Sequence, residues 1–347
     1  MVYIPPNADK LGLLHTYDFG MGDPPKADFT IPSIAEIAKA FTANLLRLKS
    51  MMTFPAYLAD FAGIIHRLQL QAHFEKFGDL NIDSRRNELP VAQELFERFI
   101  HLFHEHNATL QQIRNDPAKV AAHAQDMMEK GAAITMIIAG APAALNNFEL
   151  AMMSYITSAW TIFETAAGDL WEAALNHRPQ GLADLSGKKR YKGKEHKRID
   201  DDSAKLEKLV KLATIRSYSW DTKNKMGSIL RDKFAFTTLW GIREAYEAAF
   251  YKKSDDIDKT LTDNCFDRLS ALRNVIVHKS AIADSEYVSR TKDFQTLPKF
   301  NIGEKIQLDG KVVADLIHAS SMRTFGLIYV VEQWLVANAI KSGEAES

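Results

Sequence analysis

The sequence predicts an all-α protein, on three observations. Apolar residues recur at steps of three and four along most of the chain. The interruptions between these runs carry Gly, Pro or Asp-Pro. Only one short stretch, KFNIGEKIQLDG, alternates in the manner of paired strands.

Taken in order, Ser33 and Glu36 have capping-box spacing, which predicts a helix start. Ile34, Ile37, Phe41, Leu45 and Leu48 follow as one apolar stripe. A second stripe is Leu58, Phe61, Ile65, Leu68 and Ala72, and a third is Leu95, Phe99, Leu102, His106, Leu110 and Ile113. Turns are expected at Gly78-Asp79, Pro90 and Asp116-Pro117, the last read as an N-cap with Pro at the first helical position. Gly140-Ala141-Pro142 breaks the pattern. It divides an N-terminal helical region of unassigned role, 1–140, from a C-terminal helical domain, 141–340, with 341–347 as a frayed tail. A long helix is expected over 145–176, ended by Arg178-Pro179. The segment SGKKRYKGKEHKR has no apolar period and reads as a loop. Helices resume over 204–216, 225–251 and 258–278. Phe300 and Ile302, then Ile306 and Leu308, alternate around Gly303-Glu304 and predict one small β-hairpin. A last helix covers 311–339, and no repeat of fixed period is found.

The chain has 347 residues, 46% hydrophobic and 25% charged, which is the composition of a folded globular protein rather than a disordered one. Lys and Arg total 43 against 44 Asp and Glu, so bulk basicity of the histone kind is excluded while a local basic patch is not. Cys265 is the single cysteine, so no intrachain disulfide forms. Its helical spacing with Leu269, Leu272 and Ile276 reads as core. The first residues, MVYIPPNADK, show no signal-peptide pattern. The most apolar stretch, Ala132 to Leu145, is short for a bilayer and broken by Gly140 and Pro142. The expectation is a cytoplasmic protein with no membrane partner.

No Walker, dinucleotide or nucleophile-elbow motif is present. The run HLFHEH holds His101, His104 and His106, and Glu97 lies one turn before His101. Two His and a carboxylate can bind zinc, but there is no His-Glu-x-x-His and His106 falls on the apolar stripe, so no metal and no cofactor are assigned. The basic loop has seven Lys or Arg between Lys188 and Arg198. Lys188, Lys189, Arg190 and Lys192 can neutralise phosphates and Tyr191 can stack on a base, which makes them candidate RNA contacts. The alternative is a solvated insertion balanced by Asp200 to Asp202.

The strongest motif lies in LSALRNVIVHKSAIADSEYVSR. On a helix, Asn274 and His278 are four apart and share a face, and the long side chain of Arg273 reaches the same cleft. Leu269, Leu272 and Ile276 take the buried face. An imidazole can accept the proton of a 2′-hydroxyl or give one to a leaving 5′-oxygen, and a guanidinium can hold the charge that builds on phosphorus. Arg67/His73, Arg98/His104 and Arg190/His196 have similar spacing, and what sets Arg273 apart is the Asn that follows it. The alternative is structural, with Arg273 paired to a carboxylate such as Asp267 and His278 at a helix C-terminus, where the dipole favours a cation.

Arg273-Asn274, His278 and their flanks Leu269, Leu272, Lys279, Asp284 and Tyr287 resemble the HEPN superfamily, most closely its RiboL-PSP-type branch. The helix RDKFAFTTLWGIREAYEAAF, the segment IGEKIQL and the acidic-aromatic AWTIFETAAGDLWEAAL carry the same resemblance, which covers about residues 145–340. It implies an all-α bundle and a metal-independent endoribonuclease that leaves a 2′,3′-cyclic phosphate and a 5′-hydroxyl. Arg273, Asn274 and His278 would be catalytic, Glu164 would orient Arg273, and Lys279 would contact RNA. It further implies a homodimer with two such motifs facing each other, and a toxin–antitoxin or anti-phage setting with an antitoxin or defence partner. Other members of the family are non-catalytic modules that bind nucleic acid, nucleotide or protein. The region before residue 140 and the long basic loop have no counterpart in the resemblance.

Overall fold

The computed structural model describes residues 27–80, 89–120, 122, 142–185 and 210–343. Helix accounts for 77% of these residues and no strand is present among them, so the protein is all-α. The helices are α1 (Pro32–Phe77), α2 (Leu89–Arg114), α3 (Pro142–His177), α4 (Leu212–Ser217), α5 (Thr222–Leu230), α6 (Leu239–Phe250), α7 (Asp255–Leu261), α8 (Asn264–Lys279), α9 (Ser285–Thr291) and α10 (Gly310–Gly343). Among the described residues, no helix is long and apolar enough to cross a membrane.

The chain divides into two units. The described part of the first is 50–80, 89–120, 122 and 142–148. There Ile64, Leu68 and Ala72 of α1 pack with Leu102 of α2, against half-buried Leu95, Phe99 and Phe103. The buried row thus uses Ile64 where the pattern suggested Ile65. Asp116 caps the helical turn that starts at Pro117, accepting from Ala118 N at 3.0 Å.

The second unit holds 27–49, 149–185 and 210–343. It differs from the expected 141–340 division by including the start of α1. The physical reason is burial. Ile34, Ala38, Phe41, Leu45 and Leu48 are buried. The chain ahead of α1 is held by α10, where Glu332, 2% exposed, accepts Thr30 N at 2.6 Å and Ile31 N at 2.9 Å. Phe29 meets Phe325 edge-on at 5.9 Å. The amides at the helix start are therefore satisfied from residue 332, and Ser33 lies inside the helix rather than capping it.

The core of this unit is tied by aromatic residues with polar handles. Trp171 of α3 donates to Ala245 O at 2.8 Å, and Tyr246 of α6 returns a bond to Ala167 O at 2.8 Å. Phe163 of α3 stacks on Phe266 of α8 with ring centres 4.2 Å apart. Phe250 meets Trp334 of α10 edge-on at 5.2 Å.

Three expected elements differ. The helix expected over 225–251 is broken by a 3-10 turn, Arg231–Lys233, and an extended stretch. Phe234 and Phe236 both turn onto Trp171, at 5.3 and 5.5 Å, which a continuous helix would not allow, and Thr238 then caps α6. The helix expected over 258–278 is two helices, because Asp263 accepts from Cys265 N and starts α8 afresh. The hairpin does not form. Residues 303–306 pair instead with 281–283, through Gly303 N to Ala283 O, Ala283 N to Glu304 O and Ile306 N to Ala281 O, each at 2.8 Å. Gly303 supplies the turn at φ +89°, where a side chain is strained.

Two close approaches depend on glycine. A Cβ on Gly241 would lie 2.1 Å from Ala235 O, and one on Gly227 would lie 2.1 Å from Glu172 O. Gly241→Ala is expected to cost about 1–3 kcal/mol, because backbone must move. Gly326→Ala, in open helix, is expected to be neutral or stabilising by up to about 1 kcal/mol. Thermal melts of the two variants check this.

Candidate functional site

The motif sits on the last two turns of α8. Asp263 caps the helix start, and burial raises its carboxyl while the Cys265 hydrogen bonds and the Arg323 guanidinium at 2.7 Å outweigh this and hold it below the ordinary range. Phe266, Leu269, Leu272 and Val275 are buried and fix the helix to the core, with Val275 taking the place the pattern gave to half-buried Ile276. Cys265 is also buried, which pushes its thiol far up and leaves it without nucleophilic character. The helix ends at Ser280, φ +51°, and Ala281, φ +59°. Ala281 N closes the turn onto Val275 O at 3.0 Å.

This leaves Arg273 and Asn274 half-buried and His278 exposed. One guanidinium nitrogen joins all three, since Arg273 Nη1 donates to Asn274 Oδ1 at 3.1 Å and meets His278 Nε2 at 3.1 Å. Arginine has no acceptor, so Nε2 supplies the lone pair and the imidazole proton resides on Nδ1. The arrangement presents a base nitrogen and a permanent cation side by side at a surface.

The structural alternative for Arg273 does not hold. Asp267 is taken by Arg243 in a two-pronged ion pair, at 2.7 Å on each oxygen, while Arg243 Nε bonds Leu261 O at 2.8 Å. Among the described residues Arg273 has no carboxylate partner. That includes Glu164, which instead accepts from Trp160 Nε1 at 2.7 Å, one turn back on α3, and makes no bond to Arg273.

Lys279 lies beside the triad, 54% exposed, with Asp284 at 3.8 Å. Asp284 also caps α9 through Tyr287 N, and burial pushes the Tyr287 phenol up to about 12. Lys188, Lys189, Arg190, Tyr191 and Lys192 lie outside the described residues. Among the described residues no group of three His, Cys, Asp or Glu is placed to hold a metal ion. His101 faces Arg98 and Glu105 at 3.1 and 3.3 Å, and Glu97 accepts from Gln93.

Sequence reasoning passed over Trp220. It lies between α4 and α5, 58% exposed, with a backbone φ of +63°. Asp221, which caps α5, was the one sequence signal of a turn there. Compared with protein-family models, with curated proteins and with solved structures, the chain matches none.

Proposed function

We propose that the chain is a metal-independent endoribonuclease of HEPN type, its HEPN-like part within 141–340. The observation that supports this reading is the single guanidinium nitrogen that joins Asn274 and His278 at 3.1 Å each, on a helix whose opposite face is fully packed. A phosphate entering the site competes for Arg273. As the guanidinium turns to the non-bridging oxygens, Nε2 of His278 is released. It then accepts the 2′-hydroxyl proton while the 2′-oxygen attacks phosphorus and the bond to the 5′-oxygen breaks. Products are a 2′,3′-cyclic phosphate and a 5′-hydroxyl. Arg273 holds the charge on the phosphorane, and Asn274 positions the guanidinium.

In-line cleavage also requires a proton donor for the leaving oxygen. The motif offers one imidazole per chain, so a homodimer that brings two motifs together completes the set. Exposed Val277, Ile282 and Ile302, at 50%, 46% and 67%, give this end of the unit an apolar surface suited to self-association. The setting proposed is cytoplasmic, in toxin–antitoxin or anti-phage defence, with an antitoxin or defence partner restraining the activity.

A second reading is a non-catalytic module that binds nucleic acid, nucleotide or protein. The occupied lone pair of His278 favours it, because the base is not free in the resting site.

The test is cleavage of mixed cellular RNA in excess EDTA, beside His278→Ala. The enzyme reading expects cutting with cyclic-phosphate ends, reduced about 10²–10⁴-fold in the variant, with unchanged melting. No cutting by a folded dimer supports the binding module. A lowered melting temperature in His278→Ala would mark the imidazole as a stability element.

A further inference from the structure

Trp220 is unlike the other tryptophans of described position. Trp160 and Trp171 are buried, at 2% and 0%, Trp240 is half-buried, and Trp334 donates to Lys253 O at 2.9 Å. Trp220 is 58% exposed, and its ring makes no hydrogen bond, aromatic contact or cation–π contact with another described residue. Its backbone is held firmly nonetheless. Ser219 and Trp220 both adopt positive φ, +56° and +63°. Trp220 N bonds Ile215 O at 3.1 Å, Ser219 N bonds Arg216 O at 2.9 Å, and Thr222 N bonds Trp220 O at 2.9 Å. Tyr218 anchors the turn below through its hydroxyl, donated to Ser228 O at 3.3 Å. An indole displayed on a backbone that side chains rarely adopt is costly twice over, in exposure and in conformation, and strain of this kind concentrates at functional positions.

The charge around it is mostly positive. Lys211 precedes α4 and Arg216 lies on it, and Lys223 and Lys225 lie on α5. All four are exposed, and none has an ion-pair partner among the described residues. The only acid from Lys211 to Lys225 is Asp221, and its carboxylate is used by Asn224 N and Nδ2, at 3.1 Å each. The segment is thus locally cationic in a chain whose net charge is −1.

We propose that the turn between α4 and α5 is a stacking site for single-stranded nucleic acid. Trp220 takes one base on its face, and Lys211, Arg216, Lys223 and Lys225 neutralise the adjoining phosphates. A rigid aromatic ring among unpaired cations is the combination that binds single strands without sequence readout. Protein interfaces deplete lysine at their centres, and three of the four cations are lysine, which argues against a protein partner. That the strand is RNA rests on the cleavage chemistry proposed for Arg273 and His278. The stacking itself does not, and it would serve to hold substrate away from the scissile bond.

The test uses full-length His278→Ala, so that binding is read without cleavage, and a fluorescein-labelled mixed-sequence 12-nucleotide RNA followed by anisotropy. Trp220→Ala is expected to weaken binding about 5- to 100-fold and leave the salt dependence unchanged. Trp220→Phe is expected to restore most of the loss, which a merely structural role would not predict. Lys223→Ala with Lys225→Ala is expected to reduce the slope of log K against log salt by about 0.7 per lysine. Circular dichroism melts confirm that each variant folds. Absence of binding at low salt, or equal affinity of Trp220→Ala and its parent, overturns the proposal. So does equal affinity for duplex and single strand. A change of oligomeric state in Trp220→Ala with RNA affinity intact reassigns the turn to a protein interface. A protein that fails to cleave yet loses affinity on Trp220→Ala separates failure of the cleavage reading from failure of this one.

Discussion

Glu332→Ala is expected to lower stability by about 1–3 kcal/mol, because a buried amide loses its acceptor. The Glu332 side chain is 2% exposed, and its Oε1 accepts Thr30 N at 2.6 Å, Ile31 N at 2.9 Å and Thr30 Oγ1 at 3.4 Å. Alanine leaves the buried Ile31 amide at the head of α1 without an acceptor, which costs about 1–3 kcal/mol, while the amide of exposed Thr30 can turn to water. It also removes a negative charge from the positive end of a helix dipole. Glu332→Gln keeps an acceptor at the same place and is expected to lose about half as much, since charge-assisted bonds are roughly twice as strong as neutral ones. Equal melting temperatures for the Ala and Gln variants would mean that side-chain packing, not the hydrogen bonds, is what α10 supplies.

On the proposed endoribonuclease reading, Arg273→Lys is expected to reduce RNA cleavage about 10²–10³-fold with little change in melting. Lysine keeps the charge but offers a compact ammonium in place of a planar fork. The fork lets Nη1 face Asn274 and His278 at 3.1 Å each while its remaining N–H groups stay open to phosphate oxygens. An ammonium cannot serve both sides. Arg273→Ala, assayed with added guanidinium, extends the test. A catalytic cation is expected to be restored in part by guanidinium, in a saturable way. A structural arginine would show neither the selective loss nor the rescue.

The helical class was legible because a packed helix repeats its apolar residues visibly, as α3 does at Ile156, Trp160, Phe163, Ala167, Leu170 and Ala174. The triad was legible because its residues are local: helix geometry alone brings Asn274 under His278, and one guanidinium spans to the imidazole. What escaped was long-range. The cap on α1 comes from a residue 302 positions away in Thr30–Glu332, and no local spacing announces it. The break before α6 is set by two phenylalanines turning to Trp171, and the apparent hairpin at Gly303 is resolved by backbone groups at 281–283 that compete successfully for its amides. Glu164 accepts from a local partner, Trp160, and makes no hydrogen bond to Arg273. Trp220 was passed over because a left-handed backbone leaves little trace in sequence when the residues are not glycine.

The bond between the head of α1 and α10 also sets an order of events during synthesis. Thr30 emerges 302 residues before Glu332. At about 5–20 residues per second, the interval is about 15–60 s. For that time Ile34, Phe41 and Leu45 have no finished core to enter, and the nascent chain presents a long amphipathic segment to whatever binds such segments near the ribosome. Ribosome-bound chains arrested before residue 332 should therefore be cut by protease within 27–49, and released chains should not.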